Sequence, residues 1–268
     1  TLFQAPFRAG IKIEAYQLEP LRRALQMPRV NLFIADDVGL GKTIEAGLIV
    51  RELLLRRRAN FVVVAAPPSM VPQWKSELEN RFGLSFQIID RDFISNLRKE
   101  RGYSINPWST NTRFLISQKL LIDEGYISGL RDYLAQNKMG SLLILDEAHH
   151  AAPSAGSKYA IDSQLTKAVR ELSWLFEHRL FLSATPHNGH SNSFSALLEI
   201  LDPQRFMRGI PVDPKLRKVV MIRRLKEDLR KLVGGLPERE VVQVDLETGD
   251  VANVPEIKLF ELLSKYID

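Results

Sequence analysis

The chain has 268 residues, 45% of them hydrophobic and 26% charged, which suits one large globular domain, or one domain and part of another, rather than a disordered or fibrous chain. It contains no cysteine, which excludes disulfides and thiolate metal sites and fits a cytoplasmic location. No apolar run approaches the ~20 residues of a membrane span, and a net charge of +5 permits a polyanionic partner without demanding one.

The N-terminal TLFQAPFRAG has no signal-peptide layout, and its initial Thr1 reads as the start of a fragment. Short apolar runs follow at 31–35 (NLFIA), 61–66 (FVVVAA), 86–89 (FQII), 114–117 (FLIS), 141–145 (SLLIL) and 179–183 (RLFLS). Their continuous apolar character predicts strands buried on both faces of a parallel sheet. Helical patterns lie between them: 42–58, closed by Arg56, Arg57 and Arg58 at the negative end of the helix dipole; 69–82, after Pro67-Pro68; and 163–178. The alternation predicts a doubly wound α/β domain with helices on both faces of a mostly parallel sheet. After 202 the character changes. DPQRFMRGIPVDP is rich in turn residues, KLRKVVMIRRLKEDLRKL (215–232) predicts one basic helix, and Gly234-Gly235 breaks it before EVVQVDL (240–246) alternates as a new strand. The expected division is 1–235 as one domain, with 215–232 leading to a linker, and 236–268 as the start of a second.

The chemistry gathers just after the strands. In ADDVGLGKTIEAG (35–47) a strand runs into a glycine-containing turn and a helix beginning at Lys42, the context in which backbone N–H groups surround a phosphate. Lys42 would meet the outer phosphates and the Thr43 hydroxyl a magnesium ion, with Gly39 and Gly41 where a Cβ would obstruct close approach. The general pattern G-x-x-x-x-G-K-[ST] would place a glycine where this chain has Asp36. In SLLILDEAHH (141–150) a strand delivers Asp146 and Glu147 at its carboxyl end, suited to holding the water shell of magnesium and to activating an attacking water; acids capping the next helix are the alternative. PPS (67–69) and SATPH (183–187) also follow strands, so one rim of one sheet would carry every cluster. His149, His150, His187 and His190 invite a metal reading, but Asn188-Gly189 is a turn and no carboxylate is placed to orient them, so hydrogen-bonding roles are preferred.

In this order the segments resemble the first RecA-like lobe of superfamily-two helicases, in the SWI/SNF-like branch, from about Tyr16 onward. IEAYQLEPLRRAL resembles the Q motif, which implies that Gln17 reads the adenine of ATP. DDVGLGKT resembles motif I, in which that branch has an aspartate at the position of Asp36; the resemblance implies an ATP site of Gly39, Leu40, Gly41, Lys42, Thr43 and Ile44. DEAHH resembles motif II, which implies Mg2+ at Asp146 with Thr43 and catalysis by Lys42, Asp146 and Glu147. HRLFLSATPHNGH resembles motif III, which implies that Ser183, Ala184 and Thr185, with His149, couple nucleotide to track. VVVAAPPSMVPQWKSEL resembles motif Ia, which touches the DNA backbone, and MIRRLKEDL with LPERE resembles the passage to the second lobe. The Thr-Pro-His-Asn-Gly-His variant is similar to prokaryotic members: the RNA-polymerase-recycling ATPase RapA and the SWI/SNF-like helicase of DISARM phage-defence systems, the latter favoured by ADDVGLGKTIEAGL and RELLLRRR.

The resemblance implies an ATP-driven lobe that translocates on double-stranded DNA, with protein partners in a defence or transcription complex. It also implies low activity without a second RecA-like lobe, which supplies arginine fingers. Candidate DNA contacts are Pro67, Ser69, Gln73, Lys75 and Ser117, which would touch phosphates without reading sequence. Arg98, Lys99, Arg101, Lys119 and the basic segment at 215–232 could meet phosphate or be solvated surface. A strand-separating DNA or RNA helicase and a non-catalytic docking module are the competing readings; intact Lys42, Thr43, Asp146 and Glu147 speak against the module.

Overall fold

The apolar runs become the strands of one sheet, for which a computed structural model describes residues 3–10, 14–153, 162–185 and 191–228. The strands are β1 (Asn31–Ile34), β2 (Phe61–Ala66), β3 (Gln87–Ile89), β4 (Arg113–Ser117), β5 (Ser141–Leu145), β6 (His178–Leu182) and β7 (Met221–Ile222). Their spatial order is β3-β4-β2-β5-β6-β1-β7, and every described pairing is parallel. Within each run the side chains alternate between two cores, as the pleat requires. Phe61, Val63 and Ala65 pack with the helices α5 (Glu124–Gln136), α6 (Gln164–Leu175) and α7 (Ser191–Leu201). Val62, Val64 and Ala66 face α1 (Leu18–Gln26), α2 (Lys42–Leu55) and α3 (Val71–Phe82) instead. The doubly wound expectation is met.

Close packing on the α2 face explains a glycine inside a helix. A Cβ on Gly47 would lie 2.2 Å from the buried Phe82 ring of α3, so the glycine lets the two helices approach. The arginines after α2 do more than face a dipole. Arg56 pairs with the buried Glu52 at 2.7 Å, and Arg58 donates to the carbonyls of Leu25, Met27 and Pro28, which closes the C-terminal end of α1. Glu52 also accepts the backbone N–H groups of Gln4 and Ala5, tying the N-terminal segment to this face.

Four elements go beyond or depart from the expected pattern. α4 (Arg91–Arg101) follows β3, N-capped by Asp90, whose carboxylate accepts from Phe93 N at 2.8 Å, and α5 is capped in the same way by Asp123. The basic segment 215–232 is not one helix, which corrects that expectation. α8 (Pro214–Val220) stops at Met221, where the chain extends and pairs with β1 as β7. The reason is burial: a strand sends Met221 into one core and Ile222 into the other, whereas a helix would place adjacent residues only about 100° apart. The strand also occupies the free edge of β1. By its contacts the chain divides into units 1–229 and 230–268. The expected linker, the boundary near 235 and the second domain lie outside the described residues, as do residues 229–232.

Candidate nucleotide site

Strand order assembles the site. β4, β2, β5, β6 and β1 are successive neighbours, so their carboxyl-terminal loops stand in a row: Ser117, Pro67–Ser69, Asp146-Glu147, Ser183–Thr185 and the 36–43 loop. Neighbouring strands lie about 4.8 Å apart, which places the loop after β2 about 14 Å, and that after β4 about 19 Å, along the rim from the phosphate loop. The loops carrying Pro67, Ser69 and Ser117 thus share one rim with the phosphate loop but stand apart from it along that rim.

The 36–43 loop has a cradle's backbone. Gly39 and Gly41 hold φ values of 79° and 92°, a region that side-chain-bearing residues rarely adopt. α2 starts at Lys42, so its free N–H groups face the loop, and Lys42 Nζ donates to the carbonyls of Asp36 (2.9 Å) and Asp37 (3.3 Å). The ammonium is therefore held at the loop, where an anion would replace the carbonyls. Gln17, at the end of a short turn (Ala15–Gln17), is buried beneath it: Nε2 donates to Leu40 O at 3.2 Å and Oε1 accepts from Glu14 N. Leu40 is buried, while Thr43 and Ile44 are half-buried in the first turn of α2.

Asp146 and Glu147 differ sharply in environment. Asp146 Oδ2 accepts from the indole N–H of the fully buried Trp74 at 2.7 Å, and Oδ1 accepts from Glu147 N at 2.9 Å. Burial pushes its carboxyl pKa up, opposed by the Trp74 hydrogen bond and the nearby Lys42 ammonium. Glu147 has a left-handed backbone (φ 42°), a strained geometry for a residue with a side chain, and makes no cap hydrogen bond to the following turn (Ala148–Ala151). Helix capping is therefore not its role. Its carboxylate meets His149 Nδ1 at 3.2 Å, and the same nitrogen lies 3.0 Å from Ser183 Oγ.

That nitrogen links the turn after β5 to the loop after β6. Ser183 Oγ also accepts from Thr185 N at 3.1 Å, and Ser183 N donates to Ile34 O of β1, so a hydrogen-bonded chain runs Glu147–His149–Ser183–Thr185. Burial and the neighbouring His150 lower the His149 pKa, which favours the neutral ring. A second link passes through Gln118, whose Nε2 donates to the Asp146 carbonyl and whose Oε1 accepts from His150 Nδ1 at 3.3 Å. Ala184 is half-buried. Among the described residues no group of acidic or histidine side chains forms a metal cluster, and His187 and His190 lie outside them. Thr43 and Asp146 alone suit an ion that keeps most of its water, as Mg2+ does.

Of the nucleic-acid candidates, Ser69, Gln73 and Lys75 are exposed, Pro67 is half-buried, and Ser117 accepts from Lys119 N at 3.3 Å. In the 98–101 cluster, Arg98 lies over the Tyr103 ring, 5.9 Å from its centroid. Three site residues escaped the sequence. Trp74 lay inside the 69–82 helical pattern with no role of its own, Gln118 just past the 114–117 apolar run, and Arg224 within the basic run 215–232. Arg224 binds both Asp36 and Glu45, and Asp36 is fully buried. The Asp36 carboxylate is therefore engaged by Arg224.

Comparisons with known proteins place the family and the fold. The model of the SNF2-related domain matches residues 16–210. The RNA polymerase-associated protein RapA of Pseudomonas putida is 32% identical over 200 residues, covering 72% of this chain and 19% of that protein. RapA of Pectobacterium carotovorum is 36% identical over 193 residues, 71% of this chain and 19% of its own length. The chain thus spans about a fifth of these relatives. Among solved structures, the Sulfolobus solfataricus SWI2/SNF2 ATPase core in complex with dsDNA superposes with a TM-score of 0.65 at 18% identity, covering 88% of this chain and 49% of that one, and shares the RecA-like fold. By the domain match, the chain belongs to the SNF2-related domain family, as an SWI/SNF-like lobe of the superfamily-two helicases.

Proposed function

We propose that this lobe binds ATP with Mg2+ and powers translocation along double-stranded DNA. The observation that carries the reading is the joined site: Lys42 is close enough to Asp146 to act on its carboxyl, and the Asp146-Glu147 pair is wired to Ser183 and Thr185 through His149. Lys42 and the loop N–H groups bind the phosphates, and Thr43 and Asp146 hold hydrated Mg2+, which neutralises phosphate charge. Glu147, exposed enough to reach water and oriented by its backbone, positions the attacking water and accepts its proton. Gln17 selects adenine. The links from His149 to Ser183, and from Gln118 to Asp146, carry the state of the site toward Pro67, Ser69, Gln73, Lys75 and Ser117 on the DNA side.

Alone, the 268-residue chain binds ATP weakly and turns it over slowly, because a second lobe supplies groups that stabilise the transition state. ATP turnover by the full-length parent, compared with duplex DNA, single-stranded DNA and RNA, tests the reading. Duplex should stimulate most, and Glu147→Gln should abolish turnover. Preference for single strands would favour a strand-separating helicase, and unchanged turnover in Glu147→Gln would end the catalytic assignment. The setting has two readings. Phage defence is supported by ADDVGLGKTIEAGL and RELLLRRR, and polymerase recycling by the likeness to RapA chains. Stoichiometric binding of the parent to purified RNA polymerase is expected only on the second.

A further inference from the structure

Arg224 lies just after β7, 188 residues from Asp36 in sequence, yet among the described residues it is the most heavily bonded side chain at the phosphate loop. Its Nε donates to Asp36 Oδ2 at 2.8 Å, and its backbone N–H donates to Asp36 Oδ1 at 2.9 Å. The remaining guanidinium nitrogens bond the carboxylates of Asp36 and Glu45 and the carbonyl of Tyr16, and the group lies over the Tyr16 ring, 5.3 Å from its centroid. Tyr16 in turn donates through its hydroxyl to Leu40 O, the same carbonyl that Gln17 holds. The backbone continues the joint, with Ala35 N donating to Ile222 O at 2.7 Å and Asp37 N to Arg224 O at 3.1 Å. One side chain thus touches the start of the phosphate loop, the first turn of α2 and the segment carrying Gln17.

The charges suit a fixed joint. Asp36 and Glu45 are fully buried, and the Arg224 guanidinium serves both. Burial and the Asp36 charge push the Glu45 carboxyl up, and the Arg224 guanidinium beside it acts in the opposite direction. Burial pulls the Arg224 pKa down, but its hydrogen bonds and the two carboxylates outweigh that and hold it above its ordinary value. A charge so enclosed stays only where its partners stay. Beyond it, Lys226 places Nζ 3.6 Å from where a Gly39 Cβ would stand, so the same short segment reaches the outer side of the loop.

Resting on the ATP-binding reading above, we propose that Arg224 is a positioning residue for the phosphate loop: through Asp36 and Glu45 it holds the loop in its anion-binding shape and fastens it to the segment just after β7. It touches no substrate. Its removal should loosen the loop before any nucleotide arrives, and weaken nucleotide binding as a consequence.

Hydrogen exchange on the nucleotide-free 268-residue chain tests this directly, alongside binding of a fluorescent ADP analogue with Mg2+. Arg224→Ala should speed exchange in the 35–41 segment at least tenfold, leave β2 and β5 unchanged, and weaken analogue binding at least tenfold. Since Arg224→Ala strands two buried carboxyls and could unfold the chain, Arg224→Lys serves as the second variant. It keeps the charge but not the fork, and should fold with a several-fold increase in loop exchange and intermediate binding. Wild-type loop exchange in folded Arg224→Lys, or in folded Arg224→Ala, overturns the proposal. Failure of the unaltered chain to bind the analogue would instead count against the ATP-binding reading, while the exchange measurements still decide whether Arg224 orders the loop.

Discussion

Trp74→Phe isolates one hydrogen bond at the heart of the site. The substitution keeps a buried aromatic ring but removes the indole N–H that lies 2.7 Å from Asp146 Oδ2. A bond to an ionised acceptor contributes about 1.5–3 kcal/mol, and each pKa unit corresponds to about 1.4 kcal/mol, so the loss should raise the Asp146 pKa by about one to two units. The sign matters. Asp146 already sits above the usual aspartate value because it is buried, so its charged form opposes folding as pH rises through that raised pKa, and Trp74 moderates the effect. The variant should therefore lose the bond's stability at neutral pH, and this part of the loss should fade in acid, where the carboxyl is protonated in both proteins. Urea denaturation from pH 4 to 8, with Mg2+-dependent binding of a fluorescent ADP analogue over the same range, measures both consequences. The acid limb of binding should move to higher pH by about one to two units. A stability loss that is the same at every pH, with an unmoved acid limb, would show that the indole only fills space and refute the reasoning.

Three further outcomes are expected. Gly41→Ala should weaken analogue binding at least tenfold with a small fall in Tm, because its Cβ would meet Gln17 Nε2 at 2.6 Å and its φ of 92° strains any side chain by about 1–3 kcal/mol; calorimetry and titration check both. Gly47→Ala should destabilise by about 1–3 kcal/mol less the ~1 kcal/mol gain in helix propensity, since its Cβ would overlap the Phe82 ring; a rise in the urea midpoint would refute the close approach of α2 and α3. Glu45 has a folded pKa of about 8 against an ordinary 4.5, so its contribution is fully present below 4.5 and is lost as pH rises through 8. Asp36, Arg224, Lys42 and Tyr16 face it, and Glu45→Gln should flatten the decline in stability between pH 6 and 9.

The chain's local chemistry made much of this legible. Six strands announced themselves as apolar runs because a parallel sheet buries both faces, and the placement of Lys42, Asp146, Glu147 and Ser183 after strands followed from the carboxyl-end rule. What escaped was non-local or short. β7 has only two residues, set among basic residues spaced like a helix, and its identity is fixed by the vacant edge of β1 rather than by its own pattern. α4 is largely polar, although Asp90 ahead of it is a capping signal that could have found it. Trp74 to Asp146 and Arg224 to Asp36 join residues 72 and 188 positions apart, and no spacing along the chain encodes such pairs.

β7 also bears on where this polypeptide can be cut. The family match stops at 210, a tempting end for a minimal expression product, yet the strand covering β1 runs over 221–222. A product ending at 210 would leave the backbone of Phe33 and Ile34 unpaired on its outer side, immediately before the 36–43 loop. Such an uncovered apolar strand is a template for pairing with another copy. Shortened versions that stop before Met221 should associate and precipitate, whereas those extending through Arg224 keep the edge sealed and retain the partner of Asp36.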